Sequence, residues 1–143
     1  MDKKYLVWEF CKISREHRKL LEKRICSLGI HPSQHHFLMY ISKNTACTQN
    51  SIATAMEISA ATVAVSLKKL EKGGYIEKKS SHSDGRSNLI VLTPEGKAVV
   101  EQSEAMFEEL DRQMFDSILE EEQEQLHAYM ERIINNLKAM EEI

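Results

Sequence analysis

Histidines and cysteines are the side chains that could bind a metal in this chain of 143 residues, which has six histidines and three cysteines. His31, His35 and His36 form a cluster, and His17 lies upstream. Zinc needs three or four ligands that converge in space. His35 and His36 are adjacent on a predicted helix, so they point about 100° apart. We therefore predict no metal site and no cofactor, and we expect histidines on the surface or in a dimer interface.

The three cysteines are Cys11, Cys26 and Cys47, an odd number without a C-x-x-C spacing. This pattern is typical of reduced thiols in the cytoplasm. Cys11 and Cys26 are 15 residues apart on one predicted helix. That separation is about 22 Å, too far for a disulfide. We expect structural thiols, and a thiol-based redox-sensing regulator remains an alternative.

Residues 59–74 combine small apolar side chains and lysines on one predicted helix. Ser59 is a good N-cap, and Gly73 and Gly74 end the helix. The side to be buried carries Val63, Leu67 and Leu70. The opposite side carries Ala61, Val65, Lys68 and Lys72, flanked by Ala64 and Lys69. Short groups suit a backbone close to base edges, and cations suit phosphates. The alternative is an ordinary amphipathic helix with an alanine-rich exposed face.

The segments around this helix predict a winged helix. Residues 48–56 form a short helix capped by Thr48, and Glu57-Ile58 is a tight connection. Two strand-like runs, 75–80 and 88–92, flank a polar tip that contains Asp84-Gly85-Arg86. Thr93 then starts a new helix with a proline in its first turn. The order helix, turn, helix and β-hairpin favours DNA binding.

Several motifs in this region resemble the MarR family of bacterial transcriptional regulators. The resemblance is close over about residues 34–100 and covers the outer helices in pattern only. The motifs are Ile52-Ala53, Ser59-x-x-Thr62-Val63, Leu70-Glu71-Lys72-x-Gly74-Tyr75-Ile76, Asp84-Gly85-Arg86-Ser87 and Leu92-Thr93-Pro94-Glu95-Gly96.

The resemblance implies a homodimer on a pseudo-palindromic operator in double-stranded DNA, with the second helix in the major groove and the wing arginine in the minor groove. Ala60, Ala61 and Val65 depart from the family, whose members often have basic or hydrogen-bonding residues there. Apolar contacts and the wing would then read an A·T-rich operator. The residues expected to contact DNA are Thr48, Gln49, Ser59, Ala60, Ala61, Thr62, Ala64, Val65, Lys68, Lys69, Asp84, Arg86 and Ser87.

The net charge of −3 is unevenly distributed along the chain. Residues 1–31 have a net charge of +4, residues 60–93 of +3, and residues 94–143 of −10. The acidic surplus thus lies away from the predicted DNA surface, although any helical protein scatters charge unevenly. We expect a cytoplasmic protein without a secretion signal or a membrane span. We predict no enzyme, because no phosphate loop, nucleophile motif or paired-carboxylate site is present.

The fold class predicted is mainly α with a small β-hairpin (α+β), in one integrated domain. Residues 1–43 and 94–143 would be scaffold and dimerisation helices, and 44–93 the DNA-binding region. The outer helices would run from Asp2 to about Leu28, from Gln34 to Ser42 after a Ser33 cap, from Pro94 to about Ile118, and from Glu120 to Ile143. The last of these helices, the sixth predicted helix (α6), has an apolar seam, the α6 seam, of Leu126, Met130, Ile133, Leu137 and Met140. It predicts a homodimer, unless the outer helices cover each other within one chain.

The function predicted is a dimeric transcriptional regulator, a repressor relieved by a small-molecule effector. Many family members respond to a phenolic or lipophilic ligand, and junctions between helices and a winged helix form apolar pockets. The residues predicted to bind an aromatic or lipophilic effector are Trp8, Phe10, Phe37, Met39 and Tyr40. A winged-helix module that binds proteins and not DNA is the alternative. The basic hairpin and the lysines of the second helix favour DNA.

Overall fold

The computed structural model describes residues 1–80 and 88–141, and it confirms a winged helix that is mainly α-helical. The described part divides into two compact units, Met1–Met106 and Phe107–Ile143. The helices are α1 (Lys3–Ser27), α2 (Pro32–Lys43), α3 (Gln49–Met56), α4 (Ala60–Lys72), α5 (Pro94–Met114) and α6 (Glu120–Glu141), and the strands are β1 (Ile76–Ser80) and β2 (Asn88–Leu92).

The start of α2 differs from the prediction of a Ser33 cap. The cap is His31, whose Nδ1 accepts a hydrogen bond from the Ser33 backbone N–H at 3.2 Å. Pro32 is the first helical residue, where its missing N–H would have had no partner in the helix. The helix therefore begins at Pro32, two residues before the predicted start at Gln34. Proline fits the first turn of a helix as well as it fits a break between two helices.

The boundaries of α3 and α4 agree with the sequence. Thr48 and Ser51 form a reciprocal capping box at the start of α3. Glu57 follows α3 in the left-handed conformation, with φ +54°, which turns the chain toward α4. Ser59 Oγ accepts from the Thr62 backbone N–H at 3.1 Å and caps α4. The helix ends at Lys72, and Gly74 then takes a φ of +81° that glycine adopts without strain.

The core of the first unit joins α2, α3, α4 and the hairpin. Val63, Leu67 and Leu70 are buried, so the predicted buried face of α4 is confirmed. On α2 the buried apolar residues are Phe37, Leu38 and Ile41. Burial of one such leucine or isoleucine side chain contributes about 1.5–3 kcal/mol. The core residues with the least exposure are Leu38, Ile52, Val63, Leu67, Leu70, Ile76 and Cys47.

The hairpin pairs β1 and β2 in antiparallel register, from Ile76 opposite Leu92 to Ser80 opposite Asn88. Ile90 also donates its backbone N–H to the carbonyl oxygen of Cys47 at 2.8 Å. Cys47 therefore attaches the loop before α3 to the outer side of β2. The predicted tip residues Asp84, Arg86 and Ser87 lie outside the described residues.

In the second unit α5 ends at Met114, four residues before the expected Ile118. Ser117 takes a left-handed φ of +63° and turns the chain. A new helix then begins, because the Glu122 carboxylate accepts from the backbone N–H of Leu119 at 2.9 Å. In the α6 seam, Leu137 is 58% exposed and Met140 is 66% exposed in the single chain. None of the described helices combines the length and apolar character of a membrane span.

Candidate nucleic-acid interface

The exposed side of α4 has the composition that the sequence predicts. Ala61 and Lys68 are exposed there, and Val65 is 56% exposed although it is apolar. A valine that is not needed for the core thus lies in the middle of a solvent-facing helix surface. Its methyl groups can contact the C5-methyl group of thymine, but they cannot form hydrogen bonds with a base.

Three lysines surround this surface, and all three are exposed: Lys68, Lys69 and Lys72. Within the described residues none of them forms a salt bridge, whereas the hairpin lysines Lys78 and Lys79 pair with glutamates at 3.7 Å. Unpaired cations keep their full charge for a polyanion. The α4 surface therefore combines an apolar centre with cations that can reach phosphates.

The hydroxyl groups at the start of α4 are part of its cap. Ser59 Oγ accepts from the Thr62 backbone N–H, and it lies 2.8 Å from Thr62 Oγ1. Both residues are exposed, so each hydroxyl keeps a lone pair toward solvent. Ser59 and Thr62 can contact DNA only in the orientation that this pair permits.

The start of α3 lies beside the start of α4. The Thr48 hydroxyl accepts from the Ser51 backbone N–H at 3.1 Å, so it is occupied by the capping box. The Gln49 side-chain Nε2 donates to the backbone carbonyl oxygen of Ala60 at 3.2 Å. The structure thus joins Gln49 to Ala60, and it engages both Thr48 and Gln49 in hydrogen bonds within the protein. Asn50, which was not among the residues expected to contact DNA, is exposed next to Gln49.

The base of the hairpin is held by the start of α5. Thr93 donates its backbone N–H to the carbonyl oxygen of Tyr75 at 3.1 Å, and its hydroxyl to that of Gly74 at 2.5 Å. The same hydroxyl accepts from the Gly96 backbone N–H at 3.1 Å. One threonine therefore caps α5, as predicted, and also fixes the segment that joins α4 to β1.

A salt bridge adds a second connection between hairpin and helix, from Lys78 on β1 to Glu71 on α4. Both side chains are at least 40% exposed, so the pair contributes little to stability. Lys78 and Lys79 add exposed positive charge to the hairpin. Lys78 and Lys79 were not among the residues expected to contact DNA, although two adjacent lysines in a predicted strand are a signal visible in the sequence.

The predicted effector residues occupy different environments. Phe37 is buried in the core, and Met39 and Tyr40 are half-buried. Trp8 is 54% exposed, and Lys12 Nζ lies 5.0 Å from the centroid of its ring. Phe10 is two positions further on α1, on nearly the opposite side of the helix, where it lines a surface groove. The effector site remains a prediction.

The histidines and cysteines differ in burial. His35 is 4% exposed, which corrects the expectation of a surface or interface histidine, and burial together with the nearby His36 lowers its pKa. Cys47 is buried, and burial raises the pKa of its thiol, whereas Cys11 and Cys26 are exposed. No three potential metal ligands converge within residues 1–80 and 88–141.

Known proteins are similar to this chain in both sequence and fold. A model of the MarR family matches residues 28–87. The HTH-type transcriptional regulator BilQ of Clostridium symbiosum is 31% identical over 124 residues, which cover 87% of this chain and 79% of that protein. This relative is a transcriptional regulator.

Solved structures of MepR, a transcription regulator of a multidrug efflux pump of Staphylococcus aureus, are also similar. A substituted form has a TM-score of 0.85 at 29% identity, covering 96% of this chain and 99% of that one. The MepR–DNA complex has a TM-score of 0.65 at 29% identity, covering 92% and 95%. With an exposed apolar and cationic α4 surface on a winged helix, the chain belongs to the MarR family of DNA-binding transcriptional regulators.

Proposed function

We propose that the protein is a homodimeric, cytoplasmic repressor that binds an A·T-rich, pseudo-palindromic operator. The observation that supports this proposal best is the exposed Val65 among unpaired lysines on α4. In a major groove the valine would contact thymine methyl groups, and the lysines would position the helix on phosphates. Arg86 of the wing would enter the minor groove, which is narrow in A·T-rich flanks.

The exposed apolar side chains of the outer helices support a dimer. Phe10 and Ile13 of α1 are each 53% exposed, and the α6 seam adds a second apolar stripe. Exposed apolar stripes of this kind usually mark an interface. A two-fold dimer would bury both stripes and would also set two α4 helices about one DNA turn apart.

A small-molecule effector would relieve the repression. This aromatic or lipophilic molecule would bind near Phe37, Met39 and Tyr40, with Phe10 or Trp8 contributing. Aromatic carboxylates are suitable probes. If saturating concentrations change neither the thermal stability nor the DNA affinity, an effector of this class is excluded.

The central experiment combines operator selection with one substitution and its matched control. A duplex selected from a random library is titrated with wild-type protein, Val65→Ala and Lys97→Ala, since Lys97 is an exposed residue on another helix, α5. We expect Val65→Ala to reduce discrimination at one or two A·T pairs by roughly 3- to 10-fold. Lys97→Ala should discriminate between base pairs like wild type.

Two results would contradict the proposal. If wild-type protein shows no salt-dependent binding to any duplex, the winged helix is not a DNA-binding module and the protein-interaction alternative is favoured. If binding is salt-dependent but equal for selected and shuffled duplexes, the protein binds DNA without the proposed specificity.

A further inference from the structure

The start of α4 is joined to both ends of α3, by the chain at one end and by a hydrogen bond at the other. At the C-terminal end, the Ile58 backbone N–H donates to the Ala53 carbonyl oxygen at 3.2 Å and closes α3, and Glu57 turns the chain toward α4. At the N-terminal end, the Gln49 side chain donates to the Ala60 carbonyl oxygen, although the two residues are 11 positions apart. Ala60 is the first residue of α4.

A second attachment changes the mechanics of the two helices. The two helices pack against the same core, in which Ile52 of α3 and Val63 of α4 are fully buried. The bond from Gln49 to Ala60 adds a polar constraint at the opposite end of α3 from the turn. The bonded residue, Ala60, lies directly before Ala61 and five residues before Val65, the residues expected to face bases.

The Gln49 residue is half-buried and its amide donates within the protein, whereas the adjacent Asn50 is exposed. In the described part of the chain no hydrogen bond is formed by the Asn50 side chain. We propose that Gln49 is a positioning residue for α4 and not a DNA ligand. This proposal rests on the proposed function, because a positioned α4 matters only if α4 reads DNA.

Positioning affects specific binding more than non-specific binding. Contacts to base edges need side chains held within about 0.5 Å of their productive geometry. Non-specific affinity depends on the number of phosphates neutralised, which a small rotation of α4 hardly changes. Loss of the bond from Gln49 to Ala60 should therefore lower the ratio of operator affinity to affinity for an unrelated duplex.

The test measures this ratio for Gln49→Met, which keeps the side-chain length but removes the N–H donor. We expect operator affinity to fall about 3- to 10-fold, by the usual worth of one hydrogen bond. The loss should extend to all base pairs of the half-site, and the affinity for unrelated duplex and the salt dependence should stay unchanged. Gln49→Lys retains an N–H donor. Its added charge should raise the affinity for both duplexes alike, so the wild-type ratio should be kept.

The matched control is Asn50→Leu, which removes the neighbouring amide but leaves the bond to Ala60. Its affinity ratio should equal that of wild type, even if both affinities fall. Thermal unfolding of every variant identifies a loss that comes from poor folding.

Three outcomes would overturn the assignment. If Gln49→Met changes the preference at a single base pair only, Gln49 reads a base. If the affinity falls equally for both duplexes, Gln49 contacts a phosphate. If the melting temperature falls and the affinity ratio is unchanged, the role of Gln49 is purely structural. Wild-type protein that binds no duplex instead refutes the proposed function, and that result is distinct from all three.

Discussion

Gly96 leaves no room for a side chain beside Tyr75: a Cβ atom at this position would overlap the Tyr75 carbonyl oxygen. The first turn of α5 therefore lies directly against the backbone that joins α4 to β1. The hydrogen bonds of Thr93 to Tyr75 and Gly74 hold the same segment. Glycine is required here because the two backbones approach each other closely. The conformation of Gly96 itself does not require glycine, because the residue lies within the first turn of a helix.

Gly96→Ala should therefore destabilise the first unit. The added methyl group meets backbone, which cannot move aside as a flexible side chain can, so the cost should be at least about 1–3 kcal/mol. Thermal or urea unfolding measures it. Lys97→Ala, an exposed neighbour on the same helix, is the control and should change stability by less than about 0.5 kcal/mol. A fully stable Gly96→Ala protein would mean that α5 does not approach Tyr75 this closely.

His35 should make stability depend on pH. Burial, with a smaller effect of His36, depresses its pKa below the ordinary 6.5, so folding favours the neutral imidazole. This contribution to stability is fully present above the unfolded-state pKa and is lost as the pH falls below it toward the folded-state pKa. The free energy of unfolding of His35→Leu should decline less between about pH 7.5 and 5.5 than that of wild type. His36→Gln, at an exposed position, should retain most of the wild-type decline.

The sequence predicts the elements of the DNA-binding region well because local signals agree with the packing. Ser59 and Gly73 bound α4 in both sequence and structure, and Val63, Leu67 and Leu70 form its buried face. The start of α2 was predicted two residues late because Pro32 is equally compatible with a break and with a first helical turn. Helix caps by histidine are also rarer than caps by serine.

Hydrogen bonds between elements could not be predicted. Gln49 was selected as a DNA ligand from its place at a helix start, but its partner Ala60 is set by the angle between two helices. The burial of His35 likewise depends on packing that residue type does not reveal. Periodicity identifies which face is buried, but it does not identify what a polar side chain meets there.

Leu137→Glu should disrupt the proposed dimer. A charge placed within the α6 seam would be buried without a partner at the interface, which costs several kcal/mol. Sedimentation at micromolar concentration should show a shift toward monomer. Ala128→Glu adds the same charge on the opposite side of α6, at an exposed position, and should remain dimeric. A wild-type protein that is itself a compact, stable monomer would refute the dimer.

Lys68→Ala should weaken binding to all duplexes alike. Lys68 is exposed beside Val65 and forms no salt bridge with any described residue, so its proposed role is contact with a phosphate. Loss of one such contact should lower the slope of log affinity against log salt by about one. Lys97→Ala on α5 removes the same charge away from the α4 surface and serves as the control. A change in sequence preference would show instead that Lys68 reads bases.

Arg86→Ala should act on the flanks of the operator, in contrast to Lys68→Ala. An arginine in the minor groove gains most where the groove is narrow, so its loss should reduce the preference for A·T pairs at the flanks and leave the centre of each half-site unchanged. The expected cost on the selected operator is roughly 1–3 kcal/mol.

Arg86→Lys is the matched variant, because it keeps the charge but lacks the guanidinium group. It should recover non-specific affinity and the salt slope, but only part of the flank preference. Competition binding with duplexes that differ only in flank composition measures both quantities. If Arg86→Ala leaves operator affinity and flank preference intact while Lys68→Ala alters sequence preference, the two roles are reversed and the wing does not read the minor groove.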